Sequence, residues 1–100
     1  MEAAIRHMVV FSLKYPKDDP RTADFFKTAK RIFSNIPIAK NFMMCSEISP
    51  KNGYDYGFSF DFMTQADYDA YNQIPEHLAF IEERWNKEVS DFMEIDFKEQ

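Results

Sequence analysis

From Ile5 to Lys14 the side chains alternate, with Ile5, His7, Val9, Phe11 and Leu13 on one side of an extended backbone and Arg6, Met8, Val10, Ser12 and Lys14 on the other. Period two over that length predicts a β-strand with one strongly apolar face. The period then changes. Asp19-Pro20 supplies an N-cap followed by a first-turn proline, and Phe26, Ala29, Phe33 and Ile36 recur at helical spacing, with Phe25 and Ile32 widening the stripe. The predicted helix runs to about Asn35, because Ile36-Pro37 cannot continue it.

A second strand is expected over Ala39 to Ser49, followed by a turn at Pro50-Lys51-Asn52-Gly53, where Asn and Gly tolerate positive φ. In the next strand Tyr54, Tyr56, Phe58, Phe60 and Phe62 alternate with Asp55, Gly57, Ser59, Asp61 and Met63. Thr64-Gln65-Ala66-Asp67 has the form of a capping box and predicts a short helix through Tyr71. Pro75 opens a further helix, in which Leu78, Ile81, Trp85 and Val89, with Phe92 close behind, form one buried stripe. Met93, Ile95 and Phe97 alternate with Glu94, Asp96 and Lys98 in a closing strand.

Strand, helix, strand, strand, split helix, strand is the order of a ferredoxin-like α+β domain, with its helices on one face of the sheet. Nothing in the chain divides it, so residues 1–100 read as a single domain. The strand faces turned away from the helices then carry Met8, Val10, Ser12, Ser59, Asp61, Glu94 and Asp96. That mixture suits a half-wet dimer seam better than a second core.

Composition narrows the class. With 45% hydrophobic residues, eleven of them Phe, the chain is too apolar to be disordered. A net charge of -5 disfavours a nucleic-acid partner, since such affinity comes from Lys and Arg neutralising phosphates. The single cysteine, Cys45, excludes an internal disulfide and reads as a small buried hydrophobe in a reducing compartment. The start of the chain lacks a basic segment followed by an apolar one, and no apolar run approaches the roughly 20 residues that span a bilayer, so the expected location is cytoplasmic. The only glycines are Gly53 and Gly57, which leaves no phosphate-binding loop, and no cofactor is expected. Glu82-Glu83-Arg84 with Lys87 and Glu88 reads as a solvated helix face.

The residues that carry chemistry are few. His77 follows Pro75 by two positions, in a first helical turn whose free N–H groups disfavour the imidazolium. One reading makes it a neutral base able to take a proton from carbon next to a carbonyl, and the other makes it a tie at the helix end, bonded to the backbone or to Tyr71. Tyr71 is placed to donate a hydrogen bond to a ligand oxygen near His77. His7 lies on the apolar face of its strand and needs a partner, because leaving a buried polar group unpaired costs about 1 to 3 kcal/mol. No third His or Cys completes a zinc set with the two histidines, and Asp55 and Asp61 belong to the other sheet face, so no metal site is expected.

The segments "IRHMVVFSLK" (Ile5 to Lys14), "NGYDYGFSFDF" (Asn52 to Phe62) and "YNQIPEHLAF" (Tyr71 to Phe80) together resemble the stress-responsive A/B barrel (Dabb) domain. The resemblance implies a homodimeric α/β barrel in which two sheets meet face to face. Each subunit would keep a pocket for a small apolar or aromatic molecule between its own sheet and helices. The family includes the plant cyclase that makes olivetolic acid by a cofactor-free aldol condensation. "FFKT" (Phe25 to Thr28), Ile36-Pro37 with Lys40, Tyr71 and His77 are shared with it. By that resemblance His77 is the general base, Tyr71 polarises the substrate, and His7, Val9, Phe11, Tyr56 and Phe58 line the pocket. The chain departs from the cyclase at Ala29, Tyr56 and Ile74, which the cyclase fills with tyrosine, histidine and histidine. Two other readings stand beside the cyclase-like one: a non-catalytic stress-associated dimerisation module, and a cofactor-independent monooxygenase.

Overall fold

The structure is a computed structural model that describes residues 4–100. The reading of the chain start as free of a leader therefore bears partly on residues 1–3, outside the described residues. The elements are β1 (Ile5–Leu13), α1 (Pro20–Phe33), β2 (Lys40–Ser46), β3 (Tyr56–Phe62), α2 (Gln65–Tyr71), α3 (Pro75–Phe80), a π-helical turn (Ile81–Trp85), α4 (Asn86–Glu88) and β4 (Val89–Phe97). One four-stranded antiparallel sheet runs in the order β2-β3-β1-β4. This is the ferredoxin-like α+β arrangement expected from the chain. Among the described residues no helix is long and apolar enough to cross a membrane.

The core sits between the sheet and the helices and is made largely of aromatic rings. Phe11, Phe25, Phe60, Phe62 and Phe80 are almost fully buried. Phe11 meets Phe58 and Trp85, each with ring centroids 4.8 Å away, and Phe33 meets Phe80 at 5.1 Å. Tilted and edge-on pairs of this kind add to simple area burial. In α1 the buried stripe is Phe25, Ala29 and Phe33, continued by Ile36, while Phe26 and Ile32 are half-buried at its margin.

Local signals explain the helix ends. The Asp19 carboxylate accepts from the Arg21 N–H at 2.8 Å, with Pro20 opening the first turn of α1. Thr64 Oγ1 accepts from the Asp67 N–H at 3.0 Å at the start of α2. The link between β2 and β3 turns at residues 50–53 as expected, but without a glycine at positive φ. Asn52 Oδ1 instead accepts from the Tyr54 N–H at 2.9 Å, an Asx turn that makes the bend from a side chain. The one positive φ among the described residues is at Asn41, at 53°. There β2 carries one residue more than β3 between the Lys40–Asp61 and Met43–Ser59 pairs, and Asn41 Nδ2 donates to Asp61 Oδ2 at 2.9 Å. A bulge needs one residue to leave the ladder, and asparagine tolerates the left-handed conformation.

Four further expectations are corrected. β4 pairs with β1 as Val9–Glu94 and His7–Asp96, so Glu94 and Asp96 share the helix-covered face with His7, and Met93, Ile95 and Phe97 take the outer face. Of the expected stripe Leu78, Ile81, Trp85 and Val89, the last three pack into or against the core and Leu78 does not, and Val89 already belongs to β4. Phe80 is buried and Leu78 is about half exposed. Arg84 and Glu88 are no solvated pair: Glu88 is buried and bonded to Arg84, whose guanidinium also donates to Asp24 at 2.8 Å and Thr28 at 3.0 Å across to α1. Cys45 pairs opposite Gly57 on the outer face and is exposed, not a core residue.

Because the Thr64 cap starts the helix that carries Tyr68 and Tyr71, Thr64→Ala is expected to lower the unfolding free energy by about 1 kcal/mol, read from the denaturant midpoint at constant slope.

Candidate functional site

A cavity of about 290 Å³ lies between the sheet and the helices. β1 contributes His7 and Val9, β3 contributes Phe58 and Phe60, and β4 contributes Phe92 and Glu94. The helical side supplies Phe33, Tyr71, His77, Leu78, Ile81, Trp85 and Asn86. Alternation places the strand residues there, since every second side chain of three neighbouring strands points at the helices.

Five of the residues singled out from the sequence meet at this cavity: His77, Tyr71, His7, Val9 and Phe58. Two do not. Phe11 is completely buried, and Tyr56 packs against Phe11 at 5.6 Å and Phe26 at 4.8 Å, so both belong to the core beside the cavity. Glu94 and Asn86 are polar wall residues that the sequence reading passed over. The signal for Glu94 was hidden because β4 has an apolar series on its other face. Trp85 both packs on Phe11 and reaches the cavity wall.

His77 stacks on the Tyr71 ring with centroids 4.3 Å apart and an interplanar angle of 28°. Its Nδ1 is buried and has no hydrogen-bond partner among the described residues. Burial in this apolar wall pushes its pKa down to about 4, the nearby His7 imidazole adds to the fall, and the Tyr71 backbone partly offsets it from a position short of a hydrogen bond. The direction agrees with the expectation of a disfavoured imidazolium. Its main cause is desolvation rather than the helix terminus. Burial, followed by the charges of Tyr68 and Glu94, holds the Tyr71 hydroxyl well above the usual phenol range, so it stays protonated and able to donate.

His7 has its partners. Its Nδ1 lies 2.6 Å from Asp96 Oδ1, and the Tyr68 hydroxyl donates to Asp96 Oδ2 at 2.8 Å and stands 3.2 Å from the same Nδ1. Burial and the hydrogen bond to Asp96 raise the Tyr68 pKa well above the ordinary phenol value. Among the described residues no group of three His, Cys, Asp or Glu side chains is placed to hold a metal ion. The arrangement can present a neutral imidazole and a phenol donor to an apolar molecule.

The profile of the Stress responsive A/B Barrel Domain, Dabb, matches residues 5–99. The chain is similar to a crystal structure of a Dabb family protein with a ferredoxin-like fold from Mesorhizobium loti MAFF303099. Identity is 41% over 99% of both chains, with a TM-score of 0.95. The hydroxynitrile lyase of Passiflora edulis is 15% identical, with 96% of this chain and 93% of that one covered and a TM-score of 0.81. A dimeric ferredoxin-like protein of unknown function from Thermobifida fusca YX is 20% identical, with 95% and 90% covered and a TM-score of 0.76. At such identities these last two likenesses speak for the fold alone. No match was found among the curated proteins. Matched by the family profile along almost its entire length, the chain belongs to the stress responsive A/B barrel (Dabb) family.

Proposed function

We propose that this protein is a cytoplasmic homodimer that binds a small apolar or aromatic molecule between sheet and helices, and that His77 and Tyr71 give the site cofactor-free acid–base chemistry. The observation that carries this reading is the open cavity walled by both His77 and Tyr71, whose rings stack with centroids 4.3 Å apart. Phe33, Phe58, Phe60 and Trp85 offer ring faces and edges to an aromatic guest. Two groups then act on a bound carbonyl compound. Neutral His77 accepts a proton from the carbon beside the carbonyl, and the Tyr71 hydroxyl donates to the carbonyl oxygen as negative charge develops there. The Passiflora edulis neighbour is a lyase. The reaction class proposed for this chain rests on its own His77 and Tyr71.

A second reading, binding without turnover, is favoured by one value. An imidazole with a pKa of about 4 is a weak proton acceptor at neutral pH, so ligand binding must raise it before transfer becomes efficient. Dimerisation is common to both readings. Met93 and Phe97, 48% and 54% exposed, and Met43, 57% exposed, lie with Met8, Val10 and Ile95 on the sheet face that no helix covers. An apolar face of this kind fits burial against a second copy, and several structural neighbours are dimeric.

Three outcomes test these statements. Phenolic and polyketide-like compounds are expected to quench the fluorescence of Trp85, the single tryptophan, and to move the His77 imidazole resonances. A panel that leaves both signals untouched while oligomerisation persists would move the assignment to a non-catalytic dimer. Turnover without oxygen uptake would set the monooxygenase alternative aside.

Stability should fall on acidification. The folded-state pKa of His77 lies below the ordinary 6.5, so the unfolded chain binds the proton more tightly. The stability that neutral His77 contributes is complete above about pH 6.5 and is lost as pH falls towards about 4. Denaturant titrations across that window should show a flatter pH dependence for His77→Phe than for the unsubstituted protein. Equal slopes would remove burial as the cause.

Sedimentation at micromolar concentration is expected to give about twice the 11.9 kDa chain mass, and Met93→Glu should return the single-chain mass. A single species at 11.9 kDa for the unsubstituted protein would sink the dimer.

A further inference from the structure

Behind the cavity wall, His7, Asp96 and Tyr68 form a closed set of three side chains from β1, β4 and α2. Their protons can be placed by elimination. An ionised carboxylate only accepts, so the 2.6 Å contact between Asp96 Oδ1 and His7 Nδ1 needs a hydrogen on Nδ1. With the hydrogen on Nε2 instead, two acceptors would face each other at that distance. The Tyr68 hydroxyl has one proton, and its shorter contact, 2.8 Å, is to Asp96 Oδ2. That leaves only a secondary, accepting contact at 3.2 Å towards Nδ1.

The Asp96 carboxylate would not hold its pose alone. It belongs to β4, an edge strand of the sheet, and its side chain is 43% exposed. A carboxylate so placed exchanges its bonds with water readily unless its second oxygen is engaged. Tyr68 engages it. The Tyr68 ring is itself fixed, stacked on Phe62 at 5.1 Å and tilted against His7 at 5.2 Å. Tyr68 and Asp96 also border a surface groove with Gln65 and Lys98 on the side away from the cavity, so water reaches the set from there.

We propose that Tyr68 is a positioning residue: by clamping Asp96 it holds neutral His7 as the Nδ1–H tautomer, which leaves the Nε2 lone pair as the acceptor that His7 offers at the cavity wall. His7 is thereby more than a satisfied core histidine. The two imidazoles of the cavity differ in kind, since His77 Nδ1 has no hydrogen-bond partner among the described residues and His7 is oriented by a carboxylate and a phenol. The functional meaning rests on reading the cavity as a ligand site, but the tautomer is measured with the cavity empty. A failed ligand screen and a failed tautomer assignment are therefore distinguishable.

The experiment is a long-range proton–nitrogen correlation of the two imidazoles in ¹⁵N-labelled protein at about pH 8.5, where ordinary imidazoles are neutral. The expected His7 pattern is a protonated Nδ1 and an unprotonated Nε2. In Tyr68→Phe, which keeps the ring stack, both His7 nitrogens should move towards the average of the two tautomers while the thermal midpoint stays close to that of the parent. A parent His7 with its proton on Nε2, or with protons on both nitrogens, overturns the proposal. So does a folded Tyr68→Phe protein whose His7 nitrogens do not move. Should Tyr68→Phe fail to fold, the parent pattern and Asp96→Asn decide, with an unmoved His7 in Asp96→Asn counting against the clamp.

Discussion

The pairing register between β1 and β4 is the constraint on which the rest of the site depends. Because side chains alternate with a period of two, a slip of one residue would carry every β4 side chain to the other face. In the observed register Asp96 stands opposite His7 and Glu94 opposite Val9, so two carboxylates lie on the helix-covered side. One partners His7 and the other enters the cavity wall. The same register sends Met93, Ile95 and Phe97 to the open face beside Met8 and Val10. The polar lining of the cavity and the apolar outer face are thus two results of one hydrogen-bonding ladder.

The cavity owes its existence to where the helical layer stops filling space. Phe11, Phe25, Phe58 and Trp85 pack ring against ring, and of these Phe58 and Trp85 also form the cavity wall. Nearer β4, the π-helical turn at Ile81–Trp85 interrupts the helical repeat, with Phe80 buried before it and Leu78 left half exposed. Such turns widen a helix locally and recur at functional sites. Arg84 spans from this turn to Asp24 and Thr28 of α1 and to buried Glu88, which fixes the segment that carries Ile81, Trp85 and Asn86 on the cavity wall. Electrostatics follows from the same geometry. His77, stacked on Tyr71 and stripped of water, is held neutral, while the Tyr71 hydroxyl is held protonated.

Several features were legible from the chain because they are local. The alternation around His7, the Asp19-Pro20 and Thr64 caps and the aromatic series of β3 each depend on residues a few positions apart, and each element formed where its pattern lay. The junction at Tyr71 to His77 was equally readable, since a proline-started turn after a short helix brings those two rings together. Tyr56 and Phe11 fall in the core beside the cavity because alternation tells which face a residue takes and not how far along the strand the cavity extends. Cys45 and the faces of β4 were misplaced for a related reason. Nothing in an edge strand with apolar residues on one side and acids on the other says which side the helices cover.

The sequence by itself therefore determined the order of elements, the ferredoxin-like class, the apolar face of β1 and the presence of His7, Tyr71 and His77 on the helix side, all of them consequences of periodicity and capping. Only the tertiary structure decided the partners of those groups. The register of β4 brought Asp96 to His7, the packing of α2 brought Tyr68 to both, and the π-helical turn shaped the space in front of His77. These contacts join residues 61 and 89 positions apart in the chain for His7 alone, and no local pattern encodes a meeting that depends on how three separate elements pack.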